Sequence, residues 1–168
     1  EGLGYGVALN AGFNAKKDFV LWEDAETGAL KQSPSTANEY NGTFLTVDPF
    51  VSYKKTGRFR HDLRLRYQST LNRLPESEQN NSDANSIYAE YQLWYRLHEI
   101  IDITAGLSEN YSVVKSNFFG DHSGFNMAAF TQVEVRPLNR LKAVAGVRLE
   151  NYSLDGTEDQ RLTSAQVA

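Results

Sequence analysis

The stretch Gly124–Gly156, GFNMAAFTQVEVRPLNRLKAVAGVRLENYSLDG, limits the possible folds more than any other part of the chain. Two runs of alternating apolar and polar residues meet at Arg136-Pro137-Leu138-Asn139-Arg140. Side chains along a strand point to opposite faces in turn, so this pattern predicts a β-hairpin. Met127, Ala129, Thr131, Val133 and Val135 share one face of the first arm, opposite Asn126, Ala128, Phe130, Gln132, Glu134 and Arg136. The second arm divides into Leu141, Ala143, Ala145, Val147 and Leu149 against Lys142, Val144, Gly146, Arg148 and Glu150. Arms of about 11 to 13 residues exceed the usual soluble strand and suit the 9 to 11 tilted residues that cross a bilayer. The expectation is a membrane-spanning pair with its apolar face towards lipid.

The same rhythm recurs upstream. Strands are expected near Leu3–Phe13, Thr43–Lys54, Arg58–Gln68, Ser86–Leu97 and Ile100–Val113, which with the two hairpin arms makes seven. The polar segment from Leu154 to Ala168 reads as a tail, and Phe19 to Trp22 as a possible upward continuation of the first strand. Pro49 sits inside the second strand, where proline usually marks an edge or a bulge. Connections alternate long and short, as in outer-membrane barrels with short periplasmic turns and long outer loops. Tyr5, Phe13, Tyr53, Tyr67, Tyr95, Tyr111 and Tyr152 near strand ends are candidates for interfacial girdles. The fold expected is all-β: an antiparallel transmembrane β-barrel segment, residues 1–168 supplying about seven long strands of a larger up-and-down barrel. The chain opens at Glu1 already reading as strand, so it is taken as a mature or internal segment.

Composition agrees with that reading. A mean hydropathy of -0.50 is compatible with a barrel, where every second residue faces a polar lumen. No run of about 18 apolar residues is present, which excludes a membrane protein built of helices. A net charge of -4 offers no basic footprint for nucleic acid, and the absence of cysteine removes disulfides, thiolate metal sites and thiol catalysis.

The polar face carries the candidate functional residues. Arg58, Arg60, Asp62, Arg64 and Arg66 form a ladder on one strand, and Glu90, Arg96, Glu134, Arg136, Lys142, Arg148 and Glu150 share their face on others. Arginine at mid-membrane on the lipid side would cost about 2 to 4 kcal/mol, so this face is expected to line the lumen. Two readings stand: a wall that grips a plug or guides an anionic substrate, and a solvated interior whose charges neutralise one another. Each histidine adjoins an acid, in His61-Asp62, His98-Glu99 and Asp121-His122, but strand neighbours point apart and no nucleophile accompanies them. No catalytic role is expected. No two histidines are spaced to share an ion, and the loop acids Glu23, Asp24, Glu26, Glu76, Glu78 and Asp83 lack a calcium-loop pattern, so no metal or cofactor is expected.

Phe130, Gln132, Glu134, Arg136 and Pro137, followed by Gly146, Arg148, Glu150 and Tyr152, spell a hairpin that resembles one recurring mid-barrel in TonB-dependent outer-membrane receptors. The close match covers about 30 residues, and the rest agrees in strand rhythm, with an impression of the Bacteroidetes type. The resemblance implies part of a 22-stranded nutrient-uptake barrel in the outer membrane of a Gram-negative bacterium. It also implies a plug domain outside these residues, energy from the TonB complex through that plug, and in some cases a surface lipoprotein partner. The cargo classes implied are siderophores, glycans, peptides or cobalamin. The rival expectations are a stand-alone outer-membrane barrel acting as enzyme or adhesin, and a soluble β-sandwich that binds ligands.

Overall fold

The computed structural model describes residues 2–19, 23–24, 26, 37–55, 57–75, 77–138, 140–156 and 158–167. Trp22, Glu76 and Asn139 lie outside these residues. The chain is one antiparallel sheet of eight strands in sequence order. These are β1 (Gly2–Phe19), β2 (Ala37–Lys55), β3 (Phe59–Arg73), β4 (Ser82–His98), β5 (Ile101–Ser116), β6 (Gly120–Leu138), β7 (Leu141–Leu154) and β8 (Glu158–Val167). A 3-10 turn, Glu78–Asn80, lies in the connection from β3 to β4. β1 and β8 are the two edges and do not pair with each other.

Several sequence expectations change. The segment after Leu154 is not a tail: Asp155 and Gly156 both adopt positive φ, turn the chain, and set Glu158–Val167 against β7. The strand count is therefore eight rather than seven. The expected outer loops at 72–85 and 114–124 shrink to 74–81 and 117–119, because their flanking residues keep pairing. Polar Ser, Thr and Asn satisfy a ladder as well as apolar residues do, so an apolar pattern that stops does not end a strand. The asymmetry between the two ends lies mainly in strands that run on past the apolar band. Pro49 makes neither an edge nor a bulge. The β2–β3 pairing skips Asp48 and Pro49 without a change of register, and Asp48 binds the Arg66 guanidinium across the gap at 2.7 and 2.8 Å.

Direct pairs sort the two faces alike except past the two register shifts, at His98–Ile101 and Leu138–Leu141. One ladder row joins Leu9, Val47, Tyr67, Ile87, Tyr111 and Phe125 before reaching Ser153 on β7. The apolar residues thus form a band that is slanted relative to the rows. From β1 to β7 its lower limit moves from Leu3 to Leu141 and its upper limit from Phe13 to Leu149, about six to eight rows in six strand steps. Slightly more than one residue per strand, at ~3.3 Å rise and ~4.8 Å spacing, corresponds to a strand tilt of roughly 35 to 42°. With that tilt, Leu3 to Phe13 spans about 25 Å.

The sheet has almost no interior of its own. Ala128 is the one buried apolar side chain among the described residues, whereas Leu3, Tyr5, Val7, Leu9, Ile87, Leu107 and Leu149 are more than half exposed. The accessible surface is 12090 Å², against about 8300 Å² for a folded soluble monomer of 18.9 kDa.

What little close packing exists is on the polar face, where rings cover glycines on the adjoining strand. A Cβ at Gly6 would come within 2.8 Å of the Phe50 ring, and one at Gly106 would enter the Phe130 ring and lie 2.6 Å from the Tyr91 carbonyl oxygen. Gly106→Val is therefore expected to destabilise the sheet by about 1 to 3 kcal/mol, measured as a lower unfolding midpoint. Gly57→Ala lies in open space at a turn and should cost less than Gly106→Val, although its positive φ adds strain.

Candidate functional site: the charged inner wall

Antiparallel pairing gathers the even-numbered polar residues of β2 to β7 onto one face. Arg60, Asp62, Arg64, Arg66, Glu90, Arg96, Glu134, Arg136, Arg148 and Glu150 all lie there. Arg58 does not join the ladder. It stands in the turn before β3, where its carbonyl accepts the Arg96 N–H at 2.8 Å.

The charges are paired across and along strands. Arg60 donates to Asp62 at 2.7 Å, and the Ser52 hydroxyl donates to the same carboxylate at 2.7 Å. Arg64 faces Glu90 at 3.9 Å, while the Tyr88 hydroxyl donates to Glu90 at 2.7 Å. Arg96 donates to Asp102 at 3.0 Å, with Arg136 at 3.7 Å from the same acid. Glu134 is held between Arg136 and Lys142, the latter at 2.7 Å. Arg148 donates to Glu150 at 3.0 Å and to the Ser108 hydroxyl at 3.3 Å, and Asn126 completes Glu150 at 2.6 Å. Asp48 and Asp102 are the carboxylates that sequence reading passed over. They share the parity of the arginines, but only the register makes them partners of Arg66, Arg96 and Arg136.

Acid and base sit at different depths. The carboxylates of Asp102, Asp62, Glu134 and Glu90 are 10 to 18% exposed, whereas Arg60, Arg64, Arg66, Arg96, Arg136 and Lys142 are 42 to 64% exposed. Short acids lie against the sheet and long cations stand over them, so the surface this face offers is cationic despite near-balanced charge. Aromatic rings hold the cations in place: the Arg96 guanidinium lies 4.9 Å and Arg60 5.9 Å from the Trp94 ring, and Arg148 5.9 Å from Phe130.

The hairpin motif residues converge on this same wall. Phe130 stands opposite Arg148, Gln132 opposite Gly146 and Asn126 opposite Tyr152, while Pro137 falls in the register irregularity between Val135 and Leu138. A cavity of about 610 Å³ opens beside Gly146, lined by Phe130, Gln132, Arg148, Glu90 and Gln92. Tyr152 therefore belongs to the wall and is not an outer girdle residue. The other aromatics named for girdles lie on the apolar face: Tyr5, Tyr53 and Tyr95 towards the lower limit, where Tyr95 stacks on Phe59 at 4.6 Å, and Phe13, Tyr67 and Tyr111 near the upper.

None of the histidines binds its sequence neighbour. His61 lies on the apolar face, 2.7 Å from the Tyr91 hydroxyl. His122, in the loop-end part of β6, takes Asp155 of the β7–β8 turn as its partner, with Nδ1 2.7 Å from Oδ2 and Nε2 3.0 Å from the Phe119 carbonyl. The Asp155 carboxylate, the Phe119 carbonyl and the adjacent Asp121 raise the His122 pKa above its ordinary value, while His122 and the Ser123 amide hold Asp155 below the usual carboxylate range. Among the described residues no group of three or more His, Asp or Glu converges on one point.

The depth of Asp102 predicts the strongest effect of any wall carboxylate. Asp102→Ala leaves Arg96 and Arg136 without their shared acid and should lower the unfolding midpoint more than Asp48→Ala does, since Asp48 is a third exposed. Equal effects in paired denaturation curves would contradict the ordering. No protein-family model matches the chain, and neither the curated proteins nor the solved structures searched contain a match.

Proposed function

We propose that this chain is a wall segment of an outer-membrane β-barrel of the TonB-dependent receptor type, taking part in nutrient uptake across the outer membrane of a Gram-negative bacterium. The single observation that carries the reading is the slanted apolar band. A band about 25 Å tall, crossing strands tilted by roughly 35 to 42°, has the height and the tilt of the lipid-facing belt of such barrels. A soluble sandwich needs no such belt, and its apolar face would be covered by a second layer.

Lipid then covers the apolar face, and the free edges of β1 and β8 must be paired, because open ladders are not tolerated in hydrocarbon. The exposure of the wall arginines favours a wide barrel, since eight strands closing on themselves leave an interior filled by side chains. Within the reading, the plug domain or an anionic cargo meets the guanidinium-covered wall, the TonB complex acts through the plug, and a surface lipoprotein is a further partner. The family-like hairpin supports the receptor class because its motif residues other than Pro137 share the polar face of the sheet. The role is passage and binding rather than catalysis.

Leu65, near the middle of the band, tests the orientation. Leu65→Arg is expected to cost about 2 to 4 kcal/mol in bilayer-folded protein, while Gln92→Arg on the opposite face should be nearly neutral. The native protein should also shift on a gel when boiled. If Leu65→Arg folds as well as Gln92→Arg, or the native protein folds in plain buffer without detergent, the apolar face does not meet lipid.

A further inference from the structure

The cations at the two ends of the sheet differ in a way that the inner wall does not explain. The three short connections, residues 54–58, 98–100 and 138–141, hold four cations and one acid, Glu99. Lys54, Lys55, Arg58 and Arg140 have no carboxylate partner among the described residues. Glu99 shares a cavity with Arg136, Arg140 and Lys142, so cations are in excess there too. At the opposite end the described cations have acids beside them. Lys16 bonds to Asp18 at 2.7 Å, Lys17 to Glu39 at 3.2 Å and Arg73 to Asp83, while Lys115 stands in register between Asp83 and Asp121.

The unpaired cations sit at the lower limit of the apolar band. Tyr53 and His61 share the row of Leu3, where the band ends on β1. Lys55 lies two residues beyond Tyr53, opposite Phe59, and has the parity of the apolar face. Arg58 precedes Phe59 in the turn, and Arg140 precedes Leu141, which like Leu138 is more than half exposed. Lys54 has the other parity and points to the polar face.

Hydrogen-bonding groups accompany them on the apolar face. His61 Nδ1 lies 2.7 Å from the Tyr91 hydroxyl, and the His61 ring tilts against Tyr53 with centroids 6.2 Å apart. An imidazole costs free energy in hydrocarbon, so on the barrel reading this row belongs at the depth of the headgroups.

We propose that Lys55, Arg58 and Arg140 form a cationic rim that gathers anionic phospholipid headgroups, of the phosphatidylglycerol kind, in the leaflet reached by the short turns. The proposal rests on the barrel reading above. Three features select this occupant. The rim continues the apolar band, so acyl chains lying against Tyr53, Phe59, Leu138 and Leu141 bring their phosphates within reach of long cationic side chains that extend past the hydrocarbon. Unlike the wall arginines, the rim cations are bonded to no carboxylate, so a phosphate breaks no existing pair. Tyr53, Tyr91 and His61 add donors for phosphate and glycerol oxygens. A free phosphate ion would gain from the charge alone, which salt screens.

The test uses the full protein reconstituted in phosphatidylcholine bilayers that carry a trace of spin-labelled phosphatidylglycerol or spin-labelled phosphatidylcholine. Electron paramagnetic resonance reads the motionally restricted fraction of each label. The expected association constant for phosphatidylglycerol is about threefold or more above that for phosphatidylcholine at low salt, and falls towards equality at about 1 M salt. The Lys55→Gln, Arg58→Gln, Arg140→Gln triple variant should lose most of this preference, and Lys54→Gln, on the other face, much less. The salt series on the unaltered protein keeps the test independent of whether the triple variant folds. Equal restriction of the two lipids would overturn the proposal and favour an acidic protein as the partner of the rim. A preference untouched by the triple variant would overturn it as well. No restricted lipid of either kind would overturn the barrel reading and this proposal with it, so the two failures are distinct.

Discussion

The antiparallel ladder is the constraint on which everything else depends. Away from the Asp48-Pro49 gap and the two register irregularities it pairs the interior backbone N–H and C=O groups without help from side chains, and its pleat sends successive side chains to opposite sides. Two incompatible chemistries can therefore occupy one strand, separated by no more than the thickness of a sheet. Leu63 and Leu65 alternate with Asp62, Arg64 and Arg66 in β3, and neither set disturbs the other. The eight strands keep this division because the pairings preserve parity along almost their whole length, and the two register irregularities that break it, near Arg96 and near Val135, fall at the short-turn end.

From that division follows a sheet whose apolar face is left exposed by the chain itself. The apolar side has no partner layer within the chain, and the polar side is paved with cations above recessed acids. On the proposed reading, hydrocarbon would remove the exposed leucines and valines from water, and the tilt implied by the band's slant lies in the range of barrel strands. On the other side, aromatic residues placed over cross-strand glycines, Phe50 at Gly6 and Phe130 at Gly106, give the wall the local close packing that a single layer otherwise lacks. The charge pairs then act less as a source of stability than as a means of keeping the arginines extended over the wall.

Much of this was legible in residue order, and the failures are informative. Period-two alternation identified the faces of β1 to β7 and the arginines of the polar face, but it also counted Arg58 among them, which the turn claims. It missed β8, because Glu158–Val167 lacks strong alternation and is made a strand by the Asp155-Gly156 turn and by the free edge of β7. It overstated the outer loops for a related reason, treating polar residues as unpaired. Tyr152 was grouped with the aromatics of the apolar face, although its parity with Glu150 already placed it on the polar face. The partners of His122 were not legible, since Asp155 is 33 residues away and reaches it only through the fold of two hairpins.

Residue order by itself determined the alternation, and with it the sheet, the two faces and their opposite affinities, because strand geometry converts parity directly into side. What only the tertiary structure decided is which residues on a face meet. Register matched Asp102 to Arg96 and Arg136, Phe130 to Gly106, and Asp155 to His122, and it turned a set of apolar strands into one band with a defined slant. Parity is local and repeats every two residues. Register depends on turns and bulges summed across the whole sheet, and no single stretch of sequence contains it.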